Sequence, residues 1–321
     1  MSDNRKSPAL LLVVPLAIAL VAVLFAWPSA RLEPRDLPVG VAGPPQATKP
    51  IEQSLRAQNG AFDIHRYADR AAAQQAIEDR DVYGAFVATP SGAEVLTASA
   101  ASTTVAQLLT RAAPAQAHVE DVVKAPSTAP AVSSLVLPMV LAGSLLAFMA
   151  SLVFTRPLAQ AGAIVAGAAA VGLAVVPIAQ DWLDVVHGNW FADAGVFSLA
   201  VLATAAFVAG LHALFGNLGA TLGAFLMIII GNPFSGASSA PEMLPQPVGF
   251  IGQLMPPGAG SNLLRSTGYF DGAGAWEHVA VLAGWAALGF ALLAFADVRA
   301  RMSAKAGAGE QTGAFREIVA A

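Results

Sequence analysis

Three polar side chains in the segment DWLDVVH have a spacing that suits metal binding or acid–base chemistry. Asp181, Asp184 and His187 are each three residues apart, so a helix would place them on one face. Carboxylates and imidazoles bind divalent metals and transfer protons. The same segment contains Trp182 and is followed by Trp190, a combination typical of an acidic loop with interfacial tryptophans at a membrane surface. We favour the loop interpretation and predict no metal site.

Other reactive residue types occur without the partners that catalysis requires. Ser235, Ser238 and Ser239 supply hydroxyls, but no GxSxG motif surrounds them, so a serine hydrolase is not expected. The chain has no cysteine, which excludes disulfides and thiol nucleophiles. No GxxxxGK[ST] phosphate loop occurs, so any ATP must be bound by a separate polypeptide. We therefore predict a protein that is not an enzyme and needs no cofactor.

The composition predicts a membrane protein. Hydrophobic residues make up 56% of the chain and charged residues 12%, whereas soluble domains are roughly 25% charged. The excess apolar surface must face membrane lipid. The net charge of −4 without a basic patch argues against nucleic acid as a partner. Six apolar runs predict membrane spans: 8–27, 132–154, 158–178, 194–215, 218–230 and 279–296.

The interiors of these runs contain no Asp, Glu, Lys or Arg. Ion-coupled carriers usually need buried ionisable groups, so this absence argues against a secondary transporter. His212 lies at the end of one run and is interpreted as an interfacial or hydrogen-bonded histidine. The first run, 8–27, is longer than the apolar part of a signal peptide, and we interpret it as an uncleaved helix.

Residues 31–131 have the composition of a soluble domain and hold more than half of the charged residues. Short apolar runs alternate there with helical patterns, which predicts an α/β layer. The predicted strands are 39–42, 62–67, 83–88, 93–98 and 119–123, and the predicted helices are 51–59, 69–79 and 104–113. The fold class is thus an α-helical polytopic membrane protein with six spans and an α/β domain inserted between spans 1 and 2.

The distribution of basic residues predicts the orientation, because cytoplasmic loops are rich in Lys and Arg. Seven basic residues fall on one side: Arg5, Lys6, Arg156, Arg299, Arg301, Lys305 and Arg316. The short segments on the other side hold only Arg265. We therefore expect a cell (inner) membrane protein with both termini cytoplasmic and the α/β domain outside.

This orientation divides the chain into four parts. Residues 1–30 form a cytoplasmic tail and first helix, 31–131 the extracytoplasmic domain, 132–298 a five-helix membrane domain, and 299–321 a mobile cytoplasmic tail. Within the membrane domain, Gly, Pro and Ser interrupt the apolar residues of 232–265. Non-helical backbone at membrane depth requires cover by protein or water, so we interpret this stretch as a re-entrant segment.

Five residues of the re-entrant segment are candidates for shaping a gate: Asn232, Pro233, Pro256, Pro257 and Arg265. Pro233 removes a backbone donor and is predicted to end the fifth span. The alternative is structural, in which the prolines turn the chain and Arg265 extends to the lipid headgroups. Both interpretations are compatible with the sequence.

Small residues also recur at helical spacing. Gly219 and Gly223 form a GxxxG pair, and Ala168 with Gly172 forms a similar pair. Such pairs let helices approach closely, either within one subunit or across a dimer.

The order of these parts resembles that of the type-2 ABC-exporter permeases, in particular the phage-infection-protein-like branch with its actinobacterial relatives. Three stretches carry the resemblance: LPVGVAGPP (37–45), DRDVYGAFVATP (79–90) and FSGASSAPEMLPQPVGFIGQLMPPG (234–258). The resemblance implies a homodimeric permease component that moves a lipid-like or amphipathic substrate outward, with energy from a separate ATP-binding subunit.

Two features differ from such permeases. The loop that normally contacts the ATPase is reduced to about residues 155–157, and only residues 1–7 precede the first span. Both differences favour a second hypothesis, in which the chain is a scaffold or receptor whose extracytoplasmic domain binds a partner. The sequence leaves both functions open.

Overall fold

The computed structural model describes residues 7–90 and 92–320, with side chains from residue 11 to residue 303 apart from residue 91. Arg5 and Lys6, used above for the orientation, lie outside the described residues, as do the side chains of Lys305 and Arg316. Within the described part, a small sheet packs against one end of a helical bundle.

Among the described residues, six helical segments are long and apolar enough to span a membrane, which agrees with the predicted number. Long helices form most of them: α1 (Ser7–Ala30), α5 (Val132–Val153), α6 (Pro157–Pro177), α7 (Trp190–Phe215) and α12 (Ala275–Ala320). The remaining span is α8 (Asn217–Phe225), which continues through a wide π-type turn (Leu226–Gly231) into α9 (Asn232–Phe234). These helices are consistent with a multi-pass membrane protein.

Residues 37–121 form an α/β unit. Its strands are β1 (Leu37–Ala42), β2 (Phe62–Tyr67), β3 (Gly84–Thr89), β4 (Gly92–Thr97) and β5 (His118–Asp121). They form one sheet in the order β2-β1-β3-β4-β5, in which only the β3–β4 pair is antiparallel. All five predicted strands are confirmed to within one or two residues.

Three helices cover the two faces of this sheet: α2 (Pro45–Arg56), α3 (Arg70–Glu78) and α4 (Thr103–Ala112). Val39 and Val41 of β1 pack in one cluster with Leu55 of α2 and Leu109 of α4. The opposite face packs against Ile77 of α3. Both clusters extend beyond the unit, because one also includes residues of the re-entrant segment and the other includes Phe270.

The predicted helix 51–59 is wrong in its bounds, because α2 begins six residues earlier, at Pro45. Proline favours the first position of a helix, since its ring presets φ and the amide it lacks would be unpaired there. Helix α3 follows the prediction, with the Asp69 side chain accepting the Ala72 amide at 2.9 Å.

Helix α7 lies at the centre of the helical bundle: 72% of its most apolar 18 residues are buried, against 6% for α1. Small residues allow its neighbours to approach its backbone. A Cβ atom at Gly289 of α12 would lie 2.2 Å from the Ala206 carbonyl carbon. One at Gly172 of α6 would lie 2.4 Å from the Ala194 oxygen.

Both small-residue pairs are used within the chain. Ala168 is 1% exposed and belongs to the same core cluster as α7 residues. Gly219 and Gly223 face Leu211 of α7. These contacts confirm the within-subunit interpretation, so the pairs give no support to a dimer.

The last helix is longer than the predicted run 279–296, because α12 begins at Ala275 and continues to Ala320. The mobile cytoplasmic tail after residue 299 stays a prediction. Residues 299–320 are rich in Ala, Arg, Lys, Glu and Gln, which have high helix propensity, and no proline interrupts them.

Close packing of α12 on α7 gives a stability prediction. Gly289→Ala should lower the free energy of unfolding by about 1–3 kcal/mol, because the added methyl must displace backbone atoms of α7. Gly284→Ala is the matched control in the same helix, since a Cβ there meets no atom within 4 Å. Denaturant titration in detergent micelles measures both, and equal effects would contradict the packing argument.

Candidate functional site

The re-entrant segment is largely helical. After α9 the chain passes through a buried stretch to a 3-10 turn (Pro241–Met243), then α10 (Val248–Gln253) and α11 (Pro256–Tyr269). Twelve of the 14 residues of α11 are buried. The cover that irregular backbone requires in a membrane protein is therefore supplied by the protein itself.

The Gly-rich composition of this segment follows from its tight packing. A Cβ atom at Gly252 of α10 would lie 1.6 Å from the Phe234 carbonyl oxygen. One at Gly258 of α11 would lie 2.1 Å from the Gly252 oxygen. The two short helices and the end of α9 can pack this closely only without side chains at these positions.

Polar contacts fix the α/β unit to the re-entrant segment. Arg80 donates to the Asn262 backbone oxygen at 3.0 Å and to its side-chain oxygen at 3.3 Å. Its guanidinium lies 5.3 Å from the centre of the Phe270 ring, within the range of a cation–π contact. The Tyr83 hydroxyl donates to the Glu242 carboxylate at 2.8 Å. We refer to these five residues as the docking contact.

Residues 33–35, which precede β1, add hydrogen bonds to the re-entrant segment. The Glu33 amide donates to the Met243 oxygen at 3.1 Å, and the Arg35 amide donates to the Glu242 oxygen at 3.0 Å. The Arg35 guanidinium also donates to the Met243 oxygen at 3.0 Å. Met243 itself is 3% exposed and belongs to the core of the α/β unit. Backbone, side-chain and apolar contacts thus join the two regions.

Burial shifts the pKa values of two residues in the docking contact, Arg80 and Tyr83. It lowers the pKa of Arg80, although Tyr83 and Glu242 act in the opposite direction. It also raises the pKa of Tyr83 well above its usual value, and the neighbouring Glu242 carboxylate adds to this shift. Tyr83 is therefore a neutral hydrogen-bond donor at physiological pH.

A large cavity opens beside the docking contact, between the α/β unit, α10 and the first turns of α12. Its volume is about 800 Å³. One side is polar and includes Arg80, Glu242 and Asn262. The other side includes the apolar side chains of Leu254 and Trp276, which are 47% and 77% exposed. The cavity therefore offers charged groups and an apolar surface to one ligand.

The five predicted gate residues do not form one cluster. Helix α9 ends at Phe234, one residue after Pro233, so the apolar helical segment ends close to the predicted place. Pro256 and Pro257 occupy the first positions of α11, and the Pro257 ring packs against Gly231. The Asn232 backbone oxygen accepts the Ser235 hydroxyl at 2.7 Å.

Arg265 lies elsewhere, further along α11. It is 8% exposed, and its guanidinium donates to the Ala237 backbone oxygen. The expectation that it extends to lipid headgroups is wrong, because the chain at 237–239 and the α/β unit cover it.

The polar residues of DWLDVVH do not share a helical face. The helical chain ends at Trp182, and Asp184 adopts a left-handed conformation with φ of 53°. His187 Nε2 lies 2.7 Å from an Asp184 carboxylate oxygen, and both side chains are exposed. Asp181 is not part of this pair, so the segment is an acidic loop as we favoured.

Asp193 is a buried carboxylate that the sequence analysis missed. It is 0% exposed and accepts hydrogen bonds from Gln180 Nε2 at 2.6 Å and from the Thr267 hydroxyl at 2.5 Å. The predicted span began one residue later, which left Asp193 in the loop. Asn189, whose side chain caps α7 by accepting two amides, marks the true start of the helix.

One group of metal-ligand type occurs among the described residues: Glu94, His118 and Glu120, on β4 and β5. Arg70 already pairs with both carboxylates, at 3.1 Å and 2.6 Å. This arginine offsets one of the two negative charges and occupies an oxygen of each carboxylate, so the group is explained as an ion-pair network.

The chain was also compared with known proteins. Neither protein-family models, nor curated proteins, nor solved structures match it.

The docking contact predicts a local effect of substitution. Arg80→Met should accelerate amide hydrogen exchange in α11, because it removes two hydrogen bonds and the cation–π contact. The exchange rate of β1 amides should change less, since the sheet retains its own hydrogen bonds. Hydrogen–deuterium exchange of the full chain measures both.

Arg111→Met is the matched control, because Arg111 is exposed on the same α/β unit and has no ion pair among the described residues. Equal exchange in α11 for the two variants would contradict a docking role for Arg80.

Proposed function

We propose that this chain is the membrane component of an export system, which binds a lipid-like or amphipathic substrate and moves it outward with energy from a separate ATPase. The observation that supports this proposal is the 800 Å³ cavity, which combines charged and apolar walls. Ligand sites of about 300–1,000 Å³ are typical of small-molecule binding. A ligand with a polar head and an apolar body matches both walls.

The position of the cavity in the bundle is compatible with release of the substrate on the outer side of the membrane. The cavity lies at the start of α12, whereas Arg299 and Arg301 follow about 25 residues later in the same helix. Because basic residues favour the cytoplasmic side, we assign the cavity to the extracytoplasmic surface. An amphipathic substrate in the outer leaflet would then have direct access to it.

The long helix α12 provides a surface that the short loop between α5 and α6 lacks. Only residues 154–156 connect those two helices. In the proposed orientation, residues 299–320 extend α12 on the cytoplasmic side. We propose this extension as the contact for the ATP-binding subunit.

The second candidate function is a scaffold or receptor whose α/β unit binds a partner. The three-residue connection between α5 and α6 favours it, because it leaves little surface there for an ATPase. Co-purification distinguishes the two candidates. The chain, tagged at its carboxy terminus and extracted in mild detergent, should yield a stoichiometric P-loop ATPase by mass spectrometry. Recovery of envelope proteins alone, without an ATPase, would instead support the scaffold.

The cavity gives a prediction for substrate binding. Trp276→Ala should weaken the affinity for a fluorescent lysophospholipid by about tenfold or more, because burial of a large apolar side chain contributes about 1.5–3 kcal/mol. Fluorescence anisotropy with the protein in nanodiscs measures this affinity.

Trp182→Ala is the matched control, since Trp182 is also 77% exposed but does not line the cavity. If both variants bind the lysophospholipid as tightly as the unaltered chain, the cavity is not the substrate site.

A further inference from the structure

A second, smaller cavity of about 140 Å³ lies beside Arg265, with a different set of lining residues. The start of α4 contributes Ser102 and Thr103 to its wall, the start of α5 contributes Ser133, and the stretch after α9 contributes Ser238. Its wall is therefore rich in hydroxyl groups that come from three separate parts of the chain.

Arg265 has unused hydrogen-bonding capacity at this cavity. A guanidinium carries five N–H donors, and one nitrogen of Arg265, Nη2, donates to the Ala237 oxygen. Among the described residues, no other acceptor contacts this side chain, and no fully buried side-chain nitrogen or oxygen lacks a partner. The remaining nitrogens are therefore not fully enclosed by protein, and the cavity that Arg265 lines is open space beside this side chain.

The charge around the cavity is positive. None of the described residues that line it carries a carboxylate. Arg80 lies close enough to Arg265 for their charges to repel each other. The nearby Asp121 is already engaged, because it accepts the Ser99 amide at 2.9 Å and the Ser99 hydroxyl at 2.5 Å. A buried cation without a counter-ion is costly, and an anion in the cavity would remove that cost.

The start of α4 adds further donors. Ser102 caps this helix by accepting the Val105 amide at 3.2 Å, which leaves its hydroxyl proton free to donate outward. The amides of the first turn have no acceptor within the helix, and the helix dipole makes this end favourable for negative charge. Among the described residues, the hydroxyls of Thr103 and Ser238 also have no hydrogen-bond partner.

We propose that this cavity binds a phosphate group, with Arg265 as the principal contact and the hydroxyls of Ser102, Thr103 and Ser238 as further donors. A cavity of about 150 Å³ accommodates a benzene molecule, so a phosphate group fits within 140 Å³. The oxygens of a tetrahedral phosphate group accept hydrogen bonds from several donors at once, which matches the several donors in this wall. The phosphate comes either from a phospholipid headgroup or from free phosphate. The site does not depend on the proposed transport.

Calorimetric titration of the full chain with inorganic phosphate, in detergent and phosphate-free buffer, tests the site. Arg265→Gln should weaken binding about ten- to a hundredfold, because a hydrogen bond to a charged group is lost. Arg156→Gln is the control, since Arg156 is exposed and does not line the cavity.

A second pair of variants tests the site independently, in case the Arg265→Gln variant does not fold. Ser238 is exposed to solvent as well as to the cavity, so Ser238→Asp should be tolerated and should abolish phosphate binding by placing a carboxylate beside Arg265. The neutral Ser238→Asn, of similar size, should retain binding. Equal phosphate affinity in these two variants would overturn the proposal.

Native mass spectrometry of protein extracted from membranes that contain phosphatidylglycerol identifies the source. Three results together support a headgroup site: the unaltered chain retains phosphatidylglycerol, inorganic phosphate displaces that lipid, and the Ser238→Asp variant does not retain it. Saturable phosphate binding without retained lipid supports a free-phosphate site. Absence of both phosphate binding and retained lipid in the unaltered chain would overturn the site.

Discussion

The structure depends on two guanidinium groups where the α/β unit meets helix α11, of which Arg265 is buried and Arg80 is half-buried. Arg80 reaches from the α/β unit to Asn262, and Arg265 lies beneath the chain that connects α9 to α10. Buried charges are tolerated only with hydrogen bonds or counter-charges. Glu242, Asn262 and the Ala237 carbonyl supply these groups. The same contacts therefore hold the folded path of the re-entrant segment and keep the α/β unit against it.

This constraint relates the two cavities to each other. Both lie at the boundary between the α/β unit and the helical bundle, and both contain a guanidinium in their wall. The larger one adds apolar side chains, whereas the smaller one is lined mainly by hydroxyls and small residues. Movement of the α/β unit relative to α11 would therefore alter both cavities together. Such coupled movement is compatible with a permease that opens outward, and equally with a receptor that senses a ligand.

Much of the fold follows from local pattern. The six apolar runs correspond to six long helical segments, because the side chains of an apolar run of about 20 residues must face lipid or one another. The strands β1 to β5 follow from short apolar runs bounded by Gly and Pro. The errors lie at element ends, as with α2, where Pro45 begins the helix, and with α12, which continues to Ala320. Loop composition and helix propensity compete there, and the sequence alone does not decide between them.

The sequence by itself thus determined the six long apolar helical segments and the strands of the α/β unit, since these depend on neighbours within about 20 residues. It also singled out Arg265 as exceptional. The tertiary structure alone decided that Arg265 is buried, that Arg80 contacts Asn262 across 182 residues, and that Asp193 joins three elements. Such contacts depend on how distant elements pack, and no periodicity in the chain records that packing.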